Sequence, residues 1–304
     1  MKPGRLLAAG LLMAAVLSPS ARAADELVLR WSTQAGTKPT FRGVLNKDSA
    51  GMGAGGMLYP APGLVGLFAA VLAHAAVNSS VQSAEMRKLQ DQADEVLKPY
   101  STALDGIAVD DLLVQTRTAL APQSLNVRPG WVNANLELTP VFLMTQDRRA
   151  VLLDVAAQFN DGTSGKPRQL GMRVVSDPRG QVADGQDDWA SREGALKKVC
   201  VDLLARAVRH MLDSVDPARP ATAPATERTV RFSEGGALRM ERSKVLEQRC
   251  GRALLLTLSD TLMSVPLSNA ALDAECASAV TQEPVAAVAV AGTASPAPAT
   301  SAGQ

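Results

Sequence analysis

From Trp131 to Thr139 the chain alternates Val132, Ala134, Leu136 and Leu138 with Asn133, Asn135, Glu137 and Thr139. A period of two sends the apolar set to one side of a pleat, so a half-buried strand is predicted there. It continues through Val141–Met144 past Pro140, which marks a bulge or a sheet edge because proline has no N–H for a ladder. Gln146-Asp147-Arg148 makes a turn, and Ala150–Phe159 alternates again with Val151, Leu153, Val155, Ala157 and Phe159 on one side. A third strand over Gln169–Ser176 completes an antiparallel meander.

The period then changes. Leu196, Val199, Cys200, Leu203, Leu204, Ala207, Val208, Met211, Leu212 and Val215 recur at spacings of three and four, the stripe of a long amphipathic helix, Ala195–Val215, that packs across the sheet. Asp188 or Ser191 is placed to cap it, and His210 falls with Arg206 and Asp213 on its wet face. Two hairpins follow. Thr229–Ser233 and Ala237–Leu246 flank Glu234-Gly235-Gly236, while Arg252–Leu258 and Thr261–Pro266 flank Ser259-Asp260. Strands segregated from one long helix indicate an α+β fold with an antiparallel sheet, meander plus hairpins, and helices on one face.

Upstream, Glu26–Thr33 reads as a strand and is followed by a loop rich in Gly, Thr and Lys. From Ser49 to Ala84 there is then no Asp, Glu, Lys or Arg. Gly51–Gly56 leaves the backbone unrestrained, Pro60 and Pro62 force an extended turn, and Leu64–Val77 is apolar at almost every position. A helix apolar all round is buried in protein or inserted in lipid. Leu64–Val77 reaches about 21 Å at 1.5 Å per residue, short of the roughly 30 Å of hydrocarbon in a bilayer. Three readings compete: a buried or half-inserted helical hairpin, a transmembrane helix that takes in 57–63 with its prolines, and a self-association element built on Gly51-x-x-x-Gly55. Leu64, Leu67, Phe68, Val71 and Leu72 are the residues expected to contact a membrane or a partner.

Helical spacing continues through Met86, Leu89, Ala93, Val96 and Leu97 until Lys98-Pro99 stops it. The α+β unit is thus preceded by a long N-terminal helical segment, apolar in its first half and amphipathic in its second, although a break near Asn78-Ser79-Ser80 fits the same residues. A shorter helix at Val109–Ala121 ends at Pro122.

The chain opens with Lys2 and Arg5, an apolar run from Leu6 to Leu17 and Ala21-Arg22-Ala23, the order of a secretory signal cleaved after Ala23. No cysteine stands at the cleavage point, which argues against a lipoprotein, and the style of signal indicates a bacterial envelope or periplasm. Beyond Cys276 the Ala- and Pro-rich sequence lacks the anchors to order itself. Five units result: a signal at 1–23, a strand and loop at 24–50, the glycine-rich apolar segment and long helix at 51–98, the α+β domain at 99–276 and a tail at 277–304.

Composition narrows the chemistry. A net charge of +1 and only 5 Phe, 3 Trp and 2 Tyr argue against nucleic acid as a partner. The two histidines, His74 and His210, exclude most histidine-based constellations. No nucleophile elbow, phosphate loop or zinc-protease helix occurs, and three scattered cysteines lack metal-site spacing. Asp110-Asp111 and Asp187-Asp188 read as a helix start and a cap rather than as acid–base pairs, so no catalytic residue, cofactor or metal is expected. In an oxidising compartment one disulfide forms, Cys250 with Cys276, while Cys200 stays reduced on the apolar stripe. The expected function is that of a non-catalytic envelope protein, associated with a membrane or assembled with another envelope protein or with itself, serving envelope assembly, transport or surface organisation. A soluble periplasmic binding or adaptor module is the alternative, and an exported hydrolase of unfamiliar type is a third.

Overall fold

The computed structural model describes residues 27–32, 37–45, 81–120, 125, 128, 131–179, 189, 194–218 and 226–268, with side chains of the first helix described from residue 87. The signal, the uncharged run up to residue 80 and the chain after Ser268 lie outside the described residues.

Strand β1 (Val28–Trp31) stands where the sequence places one, and β2 (Thr40–Gly43) emerges from the stretch read as a loop. Both run parallel to β3 (Asn135–Met144) along one edge of it, β1 beside Asn135 to Leu138 and β2 beside Val141 to Met144. Thr40-Phe41-Arg42-Gly43 has no alternation to announce it. Its ladder with β3 and the stacking of Phe41 on Phe142, ring centroids 5.2 Å apart, hold it extended.

Pro140 falls between these two partners. On that edge the carbonyls of Leu138 and Met144 accept from the N–H groups of Ser32 and Val44. The N–H that Pro140 lacks would therefore point into the gap where β1 has ended and β2 has not begun. On its other side Pro140 keeps unbroken register with Val155, so it marks an edge and no bulge. β3 starts four residues later than its alternation suggests. Asn133 is left-handed at φ 51, Trp131 turns in against Phe159 at 4.8 Å, and Val132, expected inside, is 49% exposed.

Helix α1 (Val81–Asp94) does not end at Pro99. It tightens into a 3-10 turn over Glu95–Tyr100, which leads into α2 (Ser101–Asp105). A proline at 99 removes the N–H that would reach the Glu95 carbonyl and crowds that oxygen, so the α pattern yields from Glu95 onward. The end of α1 docks on β2: Asp94 accepts from the Gly43 N–H and from Arg42 Nη1, each at 2.7 Å. A Cβ at Gly43 would lie 1.9 Å from the Ala93 carbonyl oxygen, so this approach requires glycine.

After α3 (Val109–Ala119) come β4 (Val151–Asn160), β5 (Arg168–Val175) and α4 (Ala195–Val215), then β6 (Glu227–Glu234), β7 (Ala237–Arg249), β8 (Arg252–Thr257) and β9 (Leu262–Pro266). The cap of α4 departs from expectation. Gly194, at φ 76, precedes it with no side-chain cap, while Asp188 and Ser191 lie outside the described residues.

Among the described residues nine strands form one sheet in the order β1-β3-β4-β5-β9-β8-β7-β6, with β2 also on β3. The meander β3–β4–β5 and both expected hairpins are antiparallel. A third hairpin joins β7, which runs past Leu246 with a bulge between Val245 and Glu247, to β8 through left-handed Cys250 and Gly251. A short parallel ladder from Met172↔Leu262 to Val174↔Ser264 fuses the two groups. The fold is mixed α+β, a large and mostly antiparallel sheet with few helices.

Alternation assigns the sheet's two faces. Leu153, Val155, Ala157 and Phe159 join Leu136, Leu138, Met172 and Val174 in the larger core beneath α4, with Leu204, Val208 and Met211 from the helix. Leu152, Val175, Ala253, Leu255, Met263 and Val265 face the other way and meet Val230 and Phe232 of β6. An isolated bridge from Phe232 to Leu267 shows how far β6 curls back over that second face. No helix among the described residues is long and apolar enough to cross a membrane.

Candidate functional site

Where β5 ends at Val175, α4 crosses above, and Val199, Asp202, Leu203 and Arg206 turn toward the strand ends. Spacings of three and four put these four positions on one helical stripe. Together with Asp177, Arg179, Trp189 and Arg252 they enclose a cleft of about 150 Å³.

Arg252 is its fixed wall. It follows the Cys250-Gly251 turn as the first residue of β8, and this register carries its side chain under the sheet, where 9% remains exposed. Its guanidinium donates to Asp177 Oδ1 at 2.5 Å and to the carbonyls of Val175 at 2.5 Å and Ser264 at 3.1 Å, while its buried Nε meets no acceptor. Burial, then the neighbouring Arg206, pushes its pKa down to about 10. Arg206 is likewise lowered, chiefly by burial, with Arg209 adding to the effect and Asp177 and Asp202 opposing it. Among the described residues Arg206 forms no hydrogen bond or ion pair.

On the opposite wall the Arg179 guanidinium lies 3.6 Å from the centroid of the Trp189 ring, and Trp189 Nε1 donates to the Arg148 carbonyl at 2.6 Å. The Arg179 N–H and Arg149 Nε reach across to each other's backbone, which ties this wall to the turn after β3. His210, one turn beyond Arg206, is half-buried rather than on a wet face. Burial, reinforced by Arg206, brings its pKa down to about 4, so it is neutral at neutral pH.

A second ionic group lies under the hairpin. Asp154 accepts from Arg173 Nε at 2.6 Å and Nη2 at 2.5 Å, a bidentate pair between directly opposite residues of β4 and β5. Burial opposes the charge of Arg173, but Asp154, with Glu234 and Glu241 beyond it, holds the guanidinium protonated. Glu241 itself is raised by burial. The hairpin tip is pinned from outside: Asp147 accepts from the Gly236 N–H at 2.5 Å, from Thr145 Oγ1 at 2.6 Å and from the Arg149 N–H at 3.0 Å. An open groove of about 280 Å³ along β6 is edged by Arg228, Arg231 and Gln248, of which Arg228 donates to Gln248.

Of the residues singled out in the sequence, Leu64, Leu67, Phe68, Val71, Leu72, His74, Asp187, Asp188 and Cys276 lie outside the described residues. Asp111 stands in the first turn of α3 as a tether, accepting from Gln115 and paired with Lys197 of α4. The Lys197 bond, then the Gln115 bond, keeps its carboxyl below the usual range. Cys200 is a free, fully buried thiol whose pKa burial raises, and Cys250 is not free. Among the described residues no three His, Cys, Asp or Glu side chains group as metal ligands. Sequence reasoning missed the arginine cleft. Its signals were Arg252 leading the apolar strand Ala253-Leu254-Leu255 and Arg206 recurring one turn after the Asp202-Leu203 pair. No family model, curated protein or solved structure matches the chain.

Proposed function

We propose that this chain is a non-catalytic protein of a bacterial envelope, exported by a cleaved signal and held at a membrane or in an assembly through residues 57–77. What supports the reading is that, among the described residues, an apolar core stands on each face of the sheet, one under α4 and the other under the β6–β7 hairpin. Each face thus has apolar cover from elements other than residues 57–77. Leu64, Leu67, Phe68, Val71 and Leu72 are thereby left to a lipid surface, another envelope protein or a second copy, since apolar area of that size in water drives association. The long segment that begins apolar and becomes amphipathic would carry the chain from that environment into α1, and a Cys250–Cys276 disulfide would fasten the C-terminal end to the β7–β8 turn. Envelope assembly, transport or surface organisation is the role this layout suits.

Fractionation of the expressing cells tests it, with the double substitution Leu67→Asp and Val71→Asp beside the parent chain. The parent should sediment with membranes or elute as an oligomer, and the variant should lose that association while the α+β domain keeps its unfolding midpoint. A parent that is soluble and monomeric, together with a variant whose domain unfolds, would refute the reading. A soluble binding or adaptor module is favoured as the second reading by the arginine cleft, since a simple anchor requires no such polar site.

A further inference from the structure

We propose that the cleft between α4 and the ends of β5 and β8 binds one small oxyanionic group, a carboxylate or a phosphate, taken by Arg206 against the fixed wall of Arg252. The geometry divides the two arginines into different roles. Arg252 spends its terminal nitrogens on Asp177, Val175 and Ser264 and cannot leave, so it supplies a stationary positive charge. Arg206 lines the same cleft, is only partly exposed, and forms no hydrogen bond or ion pair among the described residues, with Asp177 and Asp202 near enough only to act through their charge. A part-buried guanidinium with its donors unspent is matched by a planar or tetrahedral oxyanion, which accepts two parallel N–H bonds.

The local charge count favours a single negative charge. Among the described residues that line the cleft, Arg179, Arg206 and Arg252 stand against Asp177 and Asp202, with His210 beside them uncharged at neutral pH. Among these described residues one cation is in excess, and Arg206 disfavours the charge of Arg252. An anion between them would relieve that repulsion. The volume sets the size. At about 150 Å³ the cleft is smaller than the ~300 Å³ at which pockets for drug-sized ligands begin, a size that suits one carboxylate or phosphate group. The group is therefore a free ion or the end of a larger ligand that remains outside.

The site stands apart from the envelope reading, because losing residues 57–77 as an anchor leaves the cleft intact and an empty cleft leaves the anchor untouched. The test is calorimetric titration of the full chain in detergent with inorganic phosphate, acetate and phenyl phosphate, each at constant ionic strength against chloride. Saturable one-to-one binding of at least one of these is expected, with affinity reduced at least tenfold in Arg206→Gln and partly restored in Arg206→Lys, both variants keeping the parent's urea midpoint. Tighter binding of phenyl phosphate than of inorganic phosphate would assign the group to the end of an organic ligand, and the reverse would assign it to the free ion. Absence of saturable binding by all three, or equal binding by Arg206→Gln and the parent, overturns the proposal.

Discussion

Leu153 and Leu152 are neighbours on β4, both at most 2% exposed, and they face different layers. Leu153 looks toward α4, a 21-residue helix that satisfies its own backbone and presents Leu196, Cys200, Leu204, Val208 and Met211 in one stripe. Leu152 looks toward β6, where Val230 and Phe232 are the apolar side chains on offer, and the adjoining ground is held by Asp154, Arg173 and Glu241. A helix can cover a sheet with side chains alone, because its polar backbone is spent internally. A hairpin at a sheet end covers less, leaves a strand edge, and needs ion pairs and a pinned tip to stay down. The two faces therefore differ in cooperativity: the helix face belongs to the main core, and the hairpin face is the one expected to open first.

The comparison is broken most directly at β4. Leu153→Ala should cost about 4 kcal/mol and Leu152→Ala about 2 kcal/mol, since large-to-small changes in a packed core span about 2–5 kcal/mol according to how far the surroundings can settle. Urea unfolding of the two variants measures both. Equal costs would mean that the faces are equally rigid.

Next in size is the ion pair. Asp154→Ala leaves Arg173 without its bidentate acceptor and should cost about 3 kcal/mol, the lower end for a broken buried pair because part of the Arg173 side chain stays exposed. Adding Arg173→Met should recover most of that loss in the same assay. If the double variant is as unstable as the single one, the pair does more than satisfy its own charges.

How much of this contrast the sequence carried depends on which forces act locally. The odd positions of β4 and the three–four spacing of α4 are local patterns, and both layers of the larger core follow from them. Strand β2 was hidden because Thr40 to Gly43 is extended only by virtue of β3, which lies far along the chain. The parallel join of β5 to β9 rests on three residue pairs between strands with no special pattern. Asp154 and Arg173 were legible one at a time, as charges inside apolar strands, but their pairing needed the register. The arginine cleft is assembled from β5, α4 and β8, and no single segment contains it. Local pattern likewise places His210 in water, because the stripe says which side of α4 faces the sheet and nothing about the arginines packed beside it.

Acid sharpens the contrast on the helix side. The folded pKa of His210, down to about 4, lies below the ordinary value of 6.5, so between those pH values the unfolded chain binds more protons than the native one. Stability contributed by keeping this ring neutral is therefore full above about pH 6.5, falls as pH drops toward 4 and levels off below. Arg206, Arg209 and Arg252 oppose the protonated ring and Asp213 favours it. For a part-exposed ring the loss should be about 1–2 kcal/mol. His210→Gln should flatten the urea midpoint over that window, and an unchanged slope would place the acid sensitivity elsewhere.

The smallest effect is expected at the hairpin tip. Asp147 holds Gly236 from the turn after β3, and although burial opposes its charge, the bonds from Thr145, Arg149 and Gly236 prevail and keep its carboxyl below the usual carboxylate range. Its contribution is thus present at neutral pH and is lost only as strong acid protonates it. Removing the acceptor in Asp147→Ala should cost about 1 kcal/mol globally, the ordinary worth of such bonds near solvent. Locally the consequence is larger. With the tip released, β6 is held by its ladder to β7 and the single bridge from Phe232 to Leu267, so its amides should exchange faster while those of α4 do not change. Hydrogen exchange read segment by segment makes the test: faster exchange confined to β6 and β7 supports a hairpin layer that opens on its own, whereas equal acceleration in α4 would show that the two faces unfold as one.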